Sequence, residues 1–211
     1  VQTCALPIWM TVAIIDTGVD YNHPELLHAF GEYKGYDFVD NDSDPMEAIN
    51  PTLPIDNPNR YLTYHGTHVT GTVVALSFGL APDARILAYR VLGVNGGTSA
   101  QVIAGIEQAV IDGADVMNLS LGNPLNNPDY ATSLTLDWAM AEGVVAVTSS
   151  GNEGPSDWTV GSPGASRDAI TVGSTALPYI EYPALSMHTA AGYSLSTFMV
   201  MGYNDLYRER K

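Results

Sequence analysis

Short apolar segments alternate with amphipathic ones along most of the chain, from Thr11 to Ser174. Five apolar segments predict short buried strands: TVAIID (11–16), RILAYRVLG (85–93), DVMNLSLG (115–122), GVVAVTSSG (143–151) and DAITVGS (168–174). Segments with helical periodicity lie between several of them. A chain that alternates strand and helix in this way builds right-handed crossovers. The pattern therefore predicts an α/β fold, with a parallel, doubly wound sheet that is covered by helices on both faces.

The clearest helical segment is TSAQVIAGIEQAVIDGA (98–114), which lies between the second and third predicted strands. Thr98 and Gln101 have the spacing of a capping box, and Gly113 provides a stop signal. The apolar residues of this segment share one face: Val102, Ile103, Ile106, Ala109 and Val110. We expect that face to pack on the sheet.

Two further segments predict helices. In TSLTLDWAMAEG (132–143), Thr132 or Ser133 is the expected N-cap and Gly143 the expected end. The segment YHGTHVTGTVVA (64–75) has small side chains that permit close packing against the sheet, and it carries a histidine at its start.

Composition narrows the class of protein. The 211 residues include 23 acidic and 8 basic ones, a net charge of −15, which disfavours nucleic acid as a partner. No apolar run approaches the ~20 residues of a membrane-spanning helix. Cys4 is the only cysteine, so the chain forms no internal disulfide and no cysteine metal cluster. Residues 1–10 lack the features of a signal peptide, and we interpret them as a truncated or foreign leader.

Residues 40–60, DNDSDPMEAINPTLPIDNPNR, form a loop rich in proline, asparagine and aspartate. Several of its carboxylates could bind Ca²⁺, but the loop lacks the glycine and glutamate positions that an EF-hand requires. We therefore interpret it as a solvated surface loop. No metal site and no cofactor are expected.

Polar residues follow three of the predicted strands. Asp16 leaves the first, Ser120–Gly122 the third, and Gly151–Asn152 the fourth. Because ligands bind beyond the carboxyl ends of parallel strands, these residues are expected to converge at one edge of the sheet. His65, at the start of its predicted helix, is the candidate histidine for the same edge.

Four sequence blocks make the resemblance specific: VAIIDTGVDYNHPEL, HGTHVTGTVVA, VMNLSLG and VAVTSSGNEGP. They resemble the successive motifs of the subtilisin-like serine proteases, in that family's order, over residues 11–175. The resemblance is strongest to the bacillary subclass whose catalytic domain is interrupted by a protease-associated domain. It implies a subtilisin-like fold, here incomplete, and a serine endopeptidase.

The resemblance also implies a role for each candidate residue. Asp16 would orient His65 and stabilise its imidazolium, His65 would be the general base, and Asn152 would donate to the oxyanion of the tetrahedral intermediate. Six residues would offer backbone to the substrate or shape the pocket before the scissile bond: Gly96, Gly97, Ser120, Leu121, Gly122 and Gly151.

The family's nucleophile block, Gly-Thr-Ser-Met-Ala-x-Pro, is absent from the sequence. Gly97–Ala100 imitates it, but Ser99 precedes Asn152 and is followed by neither Met nor Pro. We interpret Thr98 and Ser99 as helix-capping residues beside the cleft. The chain is therefore expected to be a fragment, with residues 11–175 as the N-terminal part of the peptidase domain and 176–211 as a connection towards a missing insert.

Other interpretations of the same residues are weaker. An aspartic protease would need a second Asp-Thr-Gly, which does not occur. A zinc site at His65 and His68 lacks both the intervening glutamate and a third ligand, so His68 is expected to be a packed structural histidine. His23 and His28 are expected at the surface.

The sequence thus predicts a secreted, extracellular serine endopeptidase that acts on protein or peptide substrates. It is expected to be a monomer without nucleic-acid or membrane partners. A non-catalytic, peptide-binding pseudoprotease, which keeps the cleft without the nucleophile, is the alternative.

Overall fold

The computed structural model describes residues 10–54, 57 and 59–174, together with the backbone of two strands at 184–188 and 194–198. These residues belong to two units, divided after Gly173. The second unit contains an antiparallel pair, Ala184–His188 and Ser194–Phe198. The predicted leader lies almost wholly outside the described residues, as does most of 176–211, so both assignments stay predictions.

A parallel sheet forms the centre of the first unit. Within residues 10–174 its six strands are β1 Thr11–Asp16, β2 Gly35–Asp37, β3 Arg85–Arg90, β4 Val116–Leu119, β5 Val145–Ser149 and β6 Ile170–Val172. They lie in the order β2-β3-β1-β4-β5-β6, and every pairing is parallel. Strand β1 is thus flanked by β3 and β4, and Asp16 stands in register with Arg90.

Helices cover both faces of this sheet, which confirms the predicted doubly wound α/β fold. Helix α1 (His65–Val74) packs with residues such as Ile14 and Ile86 in the core of one face. Helices α2 (Ser99–Ile111) and α3 (Ala131–Ala141) pack with the core of the other face, which contains Ile15. A short 3₁₀ helix, Leu27–Ala29, follows β1. Among the described residues no helix is long and apolar enough to cross a membrane.

The start of α2 is built as its sequence predicts. The Thr98 hydroxyl accepts from the backbone N–H of Gln101, and the Gln101 side-chain oxygen accepts from the N–H of Thr98 at 2.8 Å. This capping box satisfies two N–H groups that the helix itself leaves unpaired. The helix ends just before Gly113, whose φ of +75° favours glycine.

The predicted cap of α3 is wrong. The helix begins at Ala131, its N-cap is Tyr130, and no side chain caps it. Thr132 and Ser133 are instead buried within the first turn. The reason is the turn before the helix, in which the backbone N–H of Tyr130 donates to the carbonyl of Asn127 and so sets an earlier start.

The first apolar segment, 11–16, coincides with β1, but the other four are longer than the strands they contain, and no segment predicts β2. Strand β3 ends at Arg90 because the next two backbone N–H groups, of Val91 and Leu92, both donate to the carbonyl of Asp16 and bend the chain across β1. With three residues, β2 is too short to show a strand pattern in the sequence.

Candidate active site

The centre of the site is a contact between Asp16 and His65, residues 49 positions apart. His65 Nδ1 lies 2.8 Å from Oδ1 and 3.0 Å from Oδ2 of Asp16. Asp16 is the last residue of β1, and His65 is the first residue of α1. The predicted contact is therefore present.

The environments of the two side chains differ sharply. Asp16 is 1% exposed, whereas the side chain of His65 is 53% exposed. A carboxylate only accepts hydrogen bonds, so Nδ1 carries the hydrogen and Nε2 keeps a lone pair. Nε2 forms no hydrogen bond with any residue of the described ranges. Such a ring can take up a proton at its free nitrogen.

The surroundings of His65 favour its protonated form. The hydrogen bond to Asp16 raises the pKa of His65 above its usual value, partial burial opposes this rise, and the negative charges of Asp16 and Glu47 reinforce it. The pair therefore stabilises an imidazolium, which is the state that a histidine reaches when it acts as a general base.

Helix α1 approaches the end of β1 more closely than any side chain would allow. A Cβ atom at Gly66 would lie 2.1 Å from the carbonyl oxygen of Gly18 and 3.1 Å from the Cβ of Asp16. The N–H of Gly66 donates to the hydroxyl of Thr17 at 2.9 Å. Glycine at this position thus brings His65 within reach of Asp16.

A buried carboxylate completes the start of α1. Glu47 Oε1 accepts from the backbone N–H of Thr67 at 2.9 Å and from its hydroxyl at 3.0 Å. Neither Glu47 nor Thr17 is among the residues that the sequence pattern predicts for the site. The prediction of a solvated loop over residues 40–60 is wrong at Glu47, which is 2% exposed.

A cleft of about 470 Å³ contains most of the predicted site residues. The predicted residues that line it are His65, Gly96, Gly97, Ser120, Leu121, Gly122 and Asn152. Gly151 lies in an adjoining pocket of about 130 Å³, whose lining includes Asn152 and Ser120–Gly122. The structure thus brings the strand exits together with the start of α1, although the role of each residue stays a prediction.

Asn152 stands at the edge of the cleft. It is exposed, it lines the cleft, and its side-chain amide forms no hydrogen bond with another residue in the described part of the chain. The preceding Gly151 has a φ of +92°, a conformation that favours glycine. This turn exposes Asn152 at the carboxyl end of β5.

Ser99 also lines the cleft, but its hydroxyl is engaged elsewhere. It lies 2.8 Å from the hydroxyl of Tyr130 and forms no hydrogen bond with His65. Ser99 is the first residue of α2 rather than its cap, so only Thr98 acts as the capping residue.

Three other histidines of the first unit, His23, His28 and His68, have no hydrogen bond to Asp16 or His65. His23 and His28 are exposed, as predicted. The prediction that His68 is packed is wrong, since His68 is also exposed. The buried positions of α1 include Gly66 and Thr70, and a residue two positions from each points to the opposite side of a helix. Within the described ranges, no three His, Cys, Asp or Glu side chains converge as a metal site requires.

Gly66→Ala tests the close approach of α1. The added methyl would meet backbone atoms that cannot move aside, so we expect a loss of about 2–3 kcal/mol in the free energy of unfolding. Gly71→Ala is the matched control on the same helix, because its Cβ would lie 3.4 Å from the end of the Phe78 ring. It should leave stability within about 1 kcal/mol of the wild type, on the stabilising side. Equal stabilities of the two variants in urea unfolding would contradict this account.

Asp16→Asn should lower the pKa of His65, because it removes the hydrogen-bonding anion that raises it. The raised folded-state pKa means that the pair stabilises the fold fully below the unfolded-state pKa of about 6.5. That contribution is lost as the pH rises through the folded-state pKa, so the variant should lose more stability at about pH 5 than at about pH 9.

NMR titration of the His65 ring protons measures the shift in pKa. Asp115→Asn is the control, because its carboxylate accepts from the backbone N–H of Thr11 at the opposite end of β1. A His65 titration that is the same in Asp16→Asn as in the wild type would rule out the electrostatic coupling.

Comparison with known proteins assigns the chain to a family. The subtilase family profile, peptidase S8, matches residues 9–199. The minor extracellular protease Vpr of Bacillus subtilis (strain 168) is 64% identical over 196 residues, 92% of this chain and 23% of that protein. The thermophilic serine proteinase of Bacillus sp. (strain AK1) is 39% identical over 170 residues, 77% of this chain and 37% of that protein. The chain thus spans less than half the length of either relative.

The crystal structure of a cold-adapted subtilisin-like serine proteinase matches with a TM-score of 0.65 and 33% identity, covering 79% of this chain and 55% of that one. The chain belongs to the subtilase family.

Proposed function

We propose that this chain is part of a subtilisin-like serine endopeptidase and supplies two members of its catalytic triad, Asp16 and His65. The observation that carries the proposal is the contact of His65 Nδ1 with both oxygens of a buried aspartate, while Nε2 has no hydrogen-bond partner among the described residues and His65 lines a cleft. Family membership supports the same reaction.

The reaction follows from the protonation states. His65 Nε2 takes the proton of a serine hydroxyl as the serine oxygen attacks the scissile carbonyl, and it later gives that proton to the leaving amine. Asp16 holds the ring in the required tautomer and stabilises the imidazolium. Its burial strengthens this effect, because little water screens the charge.

Asn152 would stabilise the other charge of the transition state. As the carbonyl becomes tetrahedral its oxygen gains negative charge, and a side-chain amide at the rim of the cleft can donate to it. A free donor does not have to give up another hydrogen bond first, which makes the exposed, unengaged amide of Asn152 suitable.

The substrate would be a protein or peptide chain in an extended conformation. Gly96 and Gly97 on one segment of the cleft, and Ser120, Leu121 and Gly122 on another, would offer backbone to it. The pocket that includes Gly151 would receive a substrate side chain.

The nucleophile would be a serine outside this chain. The sequence lacks the Gly-Thr-Ser-Met-Ala-x-Pro block, and Ser99 is engaged with Tyr130. We further propose that the whole protein is secreted, since a relative with 64% identity is named as an extracellular protease. That it acts as a monomer stays a prediction.

The 211-residue chain alone should show no peptidase turnover, because the members of a triad act as a unit. The measurement is hydrolysis of a fluorogenic protein substrate by the pure chain, with Ser99→Ala as the matched variant. Turnover that Ser99→Ala abolishes would assign the nucleophile to Ser99 and overturn the proposal of an outside serine.

In the whole gene product, Asn152→Ala should lower kcat by about 10²–10³-fold with little change in KM, because the bond to the oxyanion strengthens in the transition state. Asp16→Asn should lower kcat by about 10⁴-fold. Asn126→Ala is the control, since Asn126 is exposed outside the cleft and donates to the carbonyl of Val160.

These rates also separate the proposed function from its alternative. A kcat that is indifferent to Asn152→Ala would remove the oxyanion role. A whole gene product that binds peptides but never cleaves them would be the pseudoprotease.

A further inference from the structure

A buried acidic side chain stands at the start of α1 without a basic partner. Glu47 is 2% exposed, and none of the salt bridges in the described part of the chain includes it. Its Oε1 accepts two hydrogen bonds from Thr67. Its Oε2 is buried and has no hydrogen-bond partner among the described residues. Burial of a carboxylate in this state is costly.

The surrounding chain holds Glu47 against the site. The carbonyl of Pro45 accepts from the N–H of Val19 at 2.9 Å, and a Cβ at Gly18 would lie 2.6 Å from the carbonyl oxygen of Met46. The N–H of Ala48 donates to a threonine hydroxyl at 2.8 Å. Glu47 therefore lies between the turn that follows Asp16 and the first turn of α1.

One function of this arrangement is to cap the helix. Tyr64, the N-cap residue of α1, provides no side-chain hydrogen bond. Residues distant in the sequence accept from the first-turn N–H groups instead. The N–H of Gly66 donates to Thr17, and the N–H of Thr67 donates to Glu47. The positive end of the helix dipole favours an anion at this place.

Capping alone does not explain the charge, since a neutral oxygen would serve as the acceptor without leaving a second oxygen buried and unpaired. The charge of Glu47 acts on two other ionisable groups, Tyr61 and His65. Arg60 is the cation beside Tyr61, but its guanidinium donates to the carbonyl of Leu53 and forms no salt bridge with Glu47. Asp20 donates its N–H to Thr67 and accepts from the hydroxyl of Tyr61. Of Tyr61 and His65, only His65 becomes a cation when it takes up a proton.

We propose that Glu47 is a positioning residue for His65: it fixes the first turn of α1 and adds negative charge that stabilises the imidazolium during catalysis. The role of Glu47 in catalysis rests on the proposed function. Its effects on the first turn of α1 and on the charge of His65 do not.

Glu47→Gln separates the charge from the cap. The amide oxygen of Gln can still accept from Thr67, so protection of the Thr67 N–H from hydrogen exchange should be kept. The pKa of His65, followed by NMR in the 211-residue chain, should fall because the charge is gone. Glu47→Ala should lower the pKa as well and also reduce Thr67 protection by about fivefold, through loss of the cap.

Glu25→Gln is the matched control. Glu25 Oε2 accepts from the backbone N–H of Ser77, just beyond the other end of α1, at 2.8 Å. This variant should change neither the His65 pKa nor Thr67 protection. A Glu47→Gln protein that titrates at His65 as the wild type does would overturn the proposal.

Glu47→Asp keeps the proposal open to refutation if the Gln variant does not fold. The shorter side chain retains the charge but no longer reaches Thr67. The raised pKa of His65 should therefore persist, whereas the protection of the Thr67 N–H from hydrogen exchange should fall. If both quantities fell together, or if neither changed, charge and cap would not be separable and the proposal would fail.

Kinetics of the whole gene product separate this inference from the proposed function. Glu47→Gln should lower kcat with KM little changed, because the imidazolium forms only during the reaction. The loss should be smaller than that of Asp16→Asn. A whole protein with the expected NMR shifts but without peptidase activity would overturn the proposed function and leave the positioning of His65 by Glu47 intact.

Discussion

The candidate site depends on how closely α1 approaches the carboxyl end of β1. The carbonyl of Gly18 occupies the space where a side chain at position 66 would lie, so the two backbones come within a distance that only glycine permits. Asp16 and His65 meet because of this approach. Thr17 and Glu47 then hold it, since each provides the acceptor for one N–H of the helix start.

The close approach of α1 to β1 also determines the electrostatics of the site. Asp16 lies at the end of a strand with neighbours on both sides, and it is almost completely buried. His65 is half exposed and can exchange protons with the cleft. A buried anion beside an accessible base is an asymmetric pair, in which the anion stays fixed and the histidine changes its protonation state. Glu47 is a second buried carboxylate whose charge acts on His65.

Much of the fold and of the site could be predicted from the sequence, because the information there is local. Strand β1 is an uninterrupted apolar segment, and the parallel topology brings the residues after β1, β4 and β5 to one edge. Glu47 could not be found in this way, because its position depends on residues far away in the sequence: Glu47 accepts from Thr67, and the neighbouring Pro45 accepts from Val19. The predicted start of α3 is wrong for a similar reason, because the turn at Asn127 overrides the preference of Thr132 and Ser133 for the N-cap position.

The position of β1 between β3 and β4 has a consequence for the order in which the molecule forms. Each of these pairings joins strands that are distant in the sequence, and non-local parallel pairing is slow because loop closure costs entropy before contacts form. Asp16 stands in register with Arg90 of β3, so its surroundings form only after the chain has returned from β1 to β3. In the unfolded chain the aspartate and the histidine, 49 positions apart, are therefore independent groups, and their coupling exists only once β1 and α1 have come together.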